Sequence, residues 1–133
     1  MQISLVALVV DDYDAAIAFF VDVLRFDLVE DSPLAVADGQ GRPKRWVVVR
    51  PPGAETGLLL ARADGERQAA FVGDQTGGRV GFFLQVDDFD ATHDRLGAAG
   101  VTFVRPPRTG PYGRVAVFLD IAGNLWDLLG PAG

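Results

Sequence analysis

The stretch "RPPRTGPYGR" (Arg105 to Arg114) sets Arg105, Arg108 and Arg114 close together in a chain whose formal net charge is −6. Guanidinium groups at that density suit recognition of an anionic or aromatic ligand; a solvated rim loop is the plain alternative. Pro106 and Pro107 stiffen the stretch, and Gly110 and Gly113 bend it. Trp46 and Tyr112 could stack on a planar ligand, although a tryptophan in a strand is more often core packing. Cysteine is absent, which excludes disulfides, thiol nucleophiles and thiolate metal sites. The single histidine, His93, reads as a partly exposed helix residue rather than a metal ligand.

The elements that must position these residues belong to one globular chain. Its 133 residues are enough for one domain with a real core, and 49% of them are apolar and spread along the whole length. The acidic balance argues against nucleic acid, which wants a basic face, and against an anionic membrane surface. No apolar run approaches a membrane span. The opening "MQISLVALVVDD" lacks a basic segment and a small-residue cleavage site, so it reads as a buried strand, and cytoplasm is the expected compartment.

The chain repeats itself. "VDDYDAA" (Val10 to Ala16) returns as "VDDFDAT" (Val86 to Thr92). Each copy follows an apolar run, "ISLVALVV" or "RVGFFLQV", of strand length. Asp11 or Asp12, and Asp87 or Asp88, can then cap a helix. The first helix would carry Ala15, Ala16, Phe19, Phe20, Val23 and Leu24 on one face; Gly100 suits a left-handed stop after the second. Short extended pieces follow, "FDLVE" or "VTFV", then a strand, a turn and a last strand: "RWVVVR" and "GLLLAR", or "GRVAVFLD" and "LWDLLG". Gly123-Asn124 marks a tight turn. The expected fold is therefore α+β: two tandem βαβββ modules, residues 1–62 and 79–131, joined by a linker at 63–78 within a single domain 1–133, with sheets curled around a cavity.

The duplicated pattern, "VDDYDAAIAFFVDVLRFDL" and the closing "FLDIAGNLWDLL" resemble the vicinal oxygen chelate superfamily of glyoxalases, extradiol dioxygenases and bleomycin-resistance proteins. The resemblance covers nearly the whole chain. The family's closing motif reads Phe-x-Asp-Pro-Asp-Gly-Asn, two residues, then Glu; here Ile121 and Ala122 replace the Pro and Asp, and Asp127 stands at the Glu position. In the family's enzymes four side chains hold a divalent metal. The resemblance puts those positions at Leu5, at Leu58 or Leu59, at Gly81 and at Asp127. Leucine and glycine offer no donor, and a metal needs several converging ones. Glu55 is the nearest unused carboxylate and reads as a solvated turn residue. The expectation is no metal and no cofactor.

If those positions face the cavity, strand alternation turns Leu5, Ala7 and Val9 toward it, with Gly81, Phe83 and Gln85, and with Leu125, Asp127 and Leu129, and sends Trp126 to the helix layer. The candidate ligand-binding residues are then Leu5, Trp46, Phe83, Gln85, Tyr112, Arg114, Leu125 and Asp127. A buried carboxylate wants a partner, and Arg50 or Arg114 could supply it; an ionised Asp127 would favour a cationic group on the ligand. Two function classes stay open. One is a metal-free protein that binds a small organic molecule, sequestering an aromatic or antibiotic ligand. The other is an enzyme, either a lyase, isomerase or dioxygenase of the family's usual type or a metal-free variant with Asp127 as its catalytic base. The resemblance further implies a homodimer, and four short open sheet edges point the same way.

Overall fold

A computed structural model describes residues 1–131. The chain divides into two compact units, Met1–Gln75 and Thr76 onward. Each holds a four-stranded sheet that does not close on itself. The first unit contains β1 (Leu5–Val10), α1 (Tyr13–Ile17), β2 (Asp27–Ala37), β3 (Pro43–Arg50), β4 (Gly57–Arg62) and α2 (Gly65–Ala69). The second contains β5 (Val80–Gln85), α3 (Phe89–Ala98), β6 (Phe103–Gly110), β7 (Gly113–Leu119) and β8 (Leu125–Gly130). The strand orders are β1-β4-β3-β2 and β5-β8-β7-β6, with the first and last strands of each module parallel and the rest antiparallel. The expected α+β fold of two βαβββ modules is what the chain adopts.

The repeated phrase starts both helices in the same way. Asp12 accepts a hydrogen bond from the Ala15 amide at 2.8 Å, and Asp88 accepts one from the Ala91 amide at 3.0 Å. Each bond satisfies an N–H that the first helical turn leaves without an intrahelical partner. From Ala18 to Val23 the first helix widens into π geometry, seen where Leu24 N–H donates to the Phe19 carbonyl at 2.9 Å. Phe20 and Leu24 are buried there, and Arg25 ends the segment at φ +63°. The helix-facing cores are apolar: Leu8, Val47, Val49 and Leu60 in the first unit, and Leu96, Phe118, Trp126 and Leu128 in the second.

Two strands run longer than their sequences suggest. β2 continues through Pro33, and β6 runs through Pro106 and Pro107 in what reads as a loop. Both are edge strands with register shifts at or beside their prolines. An edge or bulge position does not require the N–H that proline lacks. The segment between the sheets carries α2 and then Gln75, whose side-chain amide works as one residue of an absent strand. It accepts from the Val9 amide at 2.9 Å and donates to the Ala7 carbonyl at 2.8 Å, covering part of the β1 edge.

Candidate functional site

Residues opposite one another in a sheet share a face. In the second unit Phe83 on β5 lies level with Asp127 on β8, Asp127 with Val117 on β7, and Val117 with Arg105 on β6. Two residues along, on the same face, Gln85 lies level with Leu129, and Leu129 with Val115. Leu125 belongs to the same face. Trp126 points the other way, stacked on Phe82 at 4.6 Å and on Phe118 at 5.7 Å between ring centroids. The expected alternation therefore holds along β8 and from Phe82 onward on β5, with a register shift between Val80 and Phe82 interrupting it at Gly81; Phe83, Gln85, Leu125 and Asp127 stand together. Val115 and Val117 form a buried floor, while the Phe83 ring is 64% exposed.

The partners of Asp127 differ from those expected. Arg114 lies on the opposite face: its guanidinium sits 4.8 Å from the Phe89 ring centroid and donates to the Asp90 carboxylate. That position follows from register, because Arg114 is level with Gly130, and α3 rests against Gly130 so closely that a Cβ there would come within 2.6 Å of Phe89. Arg50 belongs to β3 of the first unit. The charges that act on Asp127 are those of Arg108 and Arg105. Arginines three residues apart on a regular strand would face opposite ways. On β6 the prolines sit in a bulge, so Arg105 pairs with Val117 and Arg108 with Val115, two positions apart on β7, and both share the face of Asp127.

Burial is the largest influence on Asp127 and pushes its carboxyl above the usual carboxylate range, against the opposing pull of Arg108 and then Arg105. A group whose folded pKa is raised stabilises the fold most below its unfolded pKa, and that contribution disappears as pH rises through the raised value. Asp127→Asn removes the titration. The variant should therefore melt higher than the parent at about pH 7–8, with the two curves converging at about pH 4. Thermal melts of both proteins across that range check it; a variant that melts lower at neutral pH would show that the arginines outweigh burial.

The remaining sequence candidates are placed apart from this row. Leu5 on β1 and Trp46 on β3 share the face of the first sheet turned away from α1, towards opposite ends of their strands. Trp46 is 36% exposed. Tyr112 occupies the β6–β7 turn, 65% exposed, with its ring against Gly110. His93 is sandwiched between Phe89 and Phe103, its ring centroid 4.2 Å from that of Phe103, on the helix side of the second sheet.

The positions that hold a metal in related enzymes do not fit one here. Leu5, Leu58, Leu59 and Gly81 bring no donor atom. At Gly81 even a methyl group would come within 2.6 Å of the Thr76 methyl carbon, so the space a ligating side chain would leave from is filled. Among the described residues no group of three or more histidines and carboxylates converges.

A sequence profile of the Glyoxalase/Bleomycin resistance protein/Dioxygenase superfamily matches residues 2–128. The chain belongs to that superfamily. It is 54% identical to an uncharacterised protein of Shewanella frigidimarina (strain NCIMB 400), over 93% of this chain and 89% of the relative. Among solved structures it resembles UcmS2, with TM-score 0.81, 33% identity and 97% of each chain covered. It also resembles TnmS3, an antibiotic binding protein from Streptomyces sp. CB03234, with TM-score 0.76 and 32% identity over 98% of this chain and 96% of that one. The superfamily expected from the repeat and the closing motif is thus the chain's own.

Proposed function

We propose that this superfamily member is a metal-free small-molecule-binding protein that captures an aromatic ligand on the open face of its second sheet. The observation that carries the reading is Phe83: a large ring left 64% exposed on a face floored by buried Val115 and Val117. Leu125 and Leu129 extend the apolar surface, and Gln85 and Asp127 give it two polar points. Surfaces of this composition hold organic molecules by burial and orient them through a few polar groups. The likeness to TnmS3, which binds an antibiotic, supports capture without turnover. Tyr112 is proposed as a stacking residue at the hairpin tip of the second sheet; Leu5 and Trp46 are proposed as apolar contact positions on the face of the first sheet turned away from α1.

The test is a thermal-shift and calorimetric screen of aromatic natural products and antibiotics on the parent and Phe83→Ala. Removing about 100 Å² of ring contact at about 25 cal/mol per Å² should weaken binding by ten-fold or more across ligands. Ligands that stabilise both proteins equally would place the site elsewhere. Elemental analysis of untagged protein should find less than stoichiometric zinc, iron, nickel or manganese. A second reading, a metal-independent lyase or isomerase with Asp127 as base, draws on the raised carboxyl. Turnover that disappears in Asp127→Asn while binding persists would establish that reading instead.

A further inference from the structure

The row Phe83, Asp127, Val117, Arg105 crosses all four strands of the second sheet. Strands are spaced by about 4.8 Å, so the row spans about 14 Å from ring to guanidinium at the backbone, and an arginine side chain reaches back over part of it. Arg108 stands beside Arg105 on the same face, two β7 residues along. Four other arginines meet a carboxylate: Arg42 and Arg62 meet Asp38, Arg45 meets Asp31 and Asp14, and Arg114 meets Asp90. Among the described residues the side chains of Arg105 and Arg108 make neither an ion pair nor a hydrogen bond, and the carboxylate on which their charges act is Asp127. Two guanidinium groups thus face one carboxylate, in a protein that is otherwise strongly acidic. The local balance is positive, the reverse of what Asp127 alone suggests.

Resting on the binding role proposed above, we infer that the ligand is an aromatic acid, with its ring over Phe83 and the Val115–Val117 floor and its anionic oxygens held by Arg105 and Arg108. A guanidinium fork matches a carboxylate in two parallel hydrogen bonds, and on a half-dry face such a pair is stronger than its neutral counterpart. A cationic ligand would meet two like charges for one opposite charge and is disfavoured.

Three probes share one ring and differ in charge: 2-naphthoate, 2-naphthamide and 2-naphthylmethylammonium. Calorimetric titration of the full chain at neutral pH and low salt should rank naphthoate at least ten-fold tighter than the other two. Arg105→Gln and Arg108→Gln should each weaken naphthoate several-fold and the amide far less. Raising salt from about 50 to 500 mM should narrow the gap between acid and amide, since exposed charges are screened. Phe83→Ala should weaken all three. Equal affinities that still depend on Phe83 would overturn the acid preference and leave the binding role standing, as would tighter binding of the cation. A naphthoate preference that survives the double variant Arg105→Gln/Arg108→Gln would also overturn it. Failure of every probe to bind at millimolar concentration would remove the binding role together with the inference.

Discussion

Asp120→Ala is expected to lower the stability of the protein by about 3–5 kcal/mol, although Asp120 touches no proposed ligand position. The carboxylate is 5% exposed and lies at the turn between β7 and β8. One oxygen accepts from the amides of Ala122, Gly123 and Asn124 at 2.9–3.0 Å. The other accepts from the Asn124 side-chain amide at 3.1 Å and from the Trp126 indole N–H at 2.9 Å. Gly123, at φ +102°, supplies the left-handed residue the turn needs. Alanine would leave that ring of donors facing nothing, and donors buried without acceptors account for most of the cost. Asp120→Asn should cost somewhat less, since it keeps one acceptor oxygen but turns an amide against the donors. Trp126→Phe, which deletes one donor along with part of the ring, should cost less than Asp120→Ala. Chemical denaturation followed by tryptophan fluorescence and by far-ultraviolet circular dichroism measures all three. A loss below about 1 kcal/mol for Asp120→Ala would mean that water replaces the carboxylate.

That turn also shows how far the sequence can be read. "FLDIAGNLWD" served to place Asp127 and to reveal the superfamily, yet its own Asp, Gly and Asn proved to be a structural device whose bonds close only in three dimensions. The repeat, the helix caps and the facing of β5 and β8 were legible, because each rests on local spacing: a carboxylate three residues before an amide, or side chains alternating along a regular strand. What was not legible lies where the period breaks. The π-helical turn at Ala18–Val23 shifts every following residue on the helix surface, and no residue type announces it. The bulge at Pro106-Pro107 is sharper in its effect, since it moves Arg108 to the side of Arg105 and so changes the charge that surrounds Asp127. Proline named the place as irregular. Only the pairing of Arg105 with Val117 and Arg108 with Val115 showed which way the irregularity turned. The facing of Arg114 was not legible for a related reason: it sits after a turn, where the parity of the preceding segment no longer applies.

Tyr13→Ala and Phe89→Ala should each cost about 3–5 kcal/mol, while Tyr13→Phe should cost about 1 kcal/mol or less. These are the aromatic residues of the repeated phrase, and each is a platform at the start of a helix. Tyr13 is 4% exposed and carries two guanidinium groups, those of Arg62 and Arg45, at 4.8 and 5.1 Å from its ring centroid. Arg45 is at the same time tied to Asp31 at 2.7 Å and Asp14 at 2.9 Å, bonds that hold it charged at any accessible pH and hold Asp31 below the usual carboxylate range. Phe89 is 3% exposed; it carries Arg114, packs against His93 and fills the space left by Gly130. In each module, therefore, an arginine from the third strand lies on the aromatic ring and pairs with the aspartate that follows it in the sequence. Truncating the ring removes its burial and leaves the cations half-desolvated with nothing beneath them, so the loss should exceed that of an ordinary core phenylalanine at similar burial. The Tyr13 hydroxyl accepts only one long bond, from the Arg45 amide at 3.3 Å, which is why Tyr13→Phe should be mild. Denaturant midpoints for the three variants decide between ring and hydroxyl. A Tyr13→Phe variant as unstable as Tyr13→Ala would show that the single polar contact, and not the platform repeated in both modules, holds the start of the first helix to its sheet.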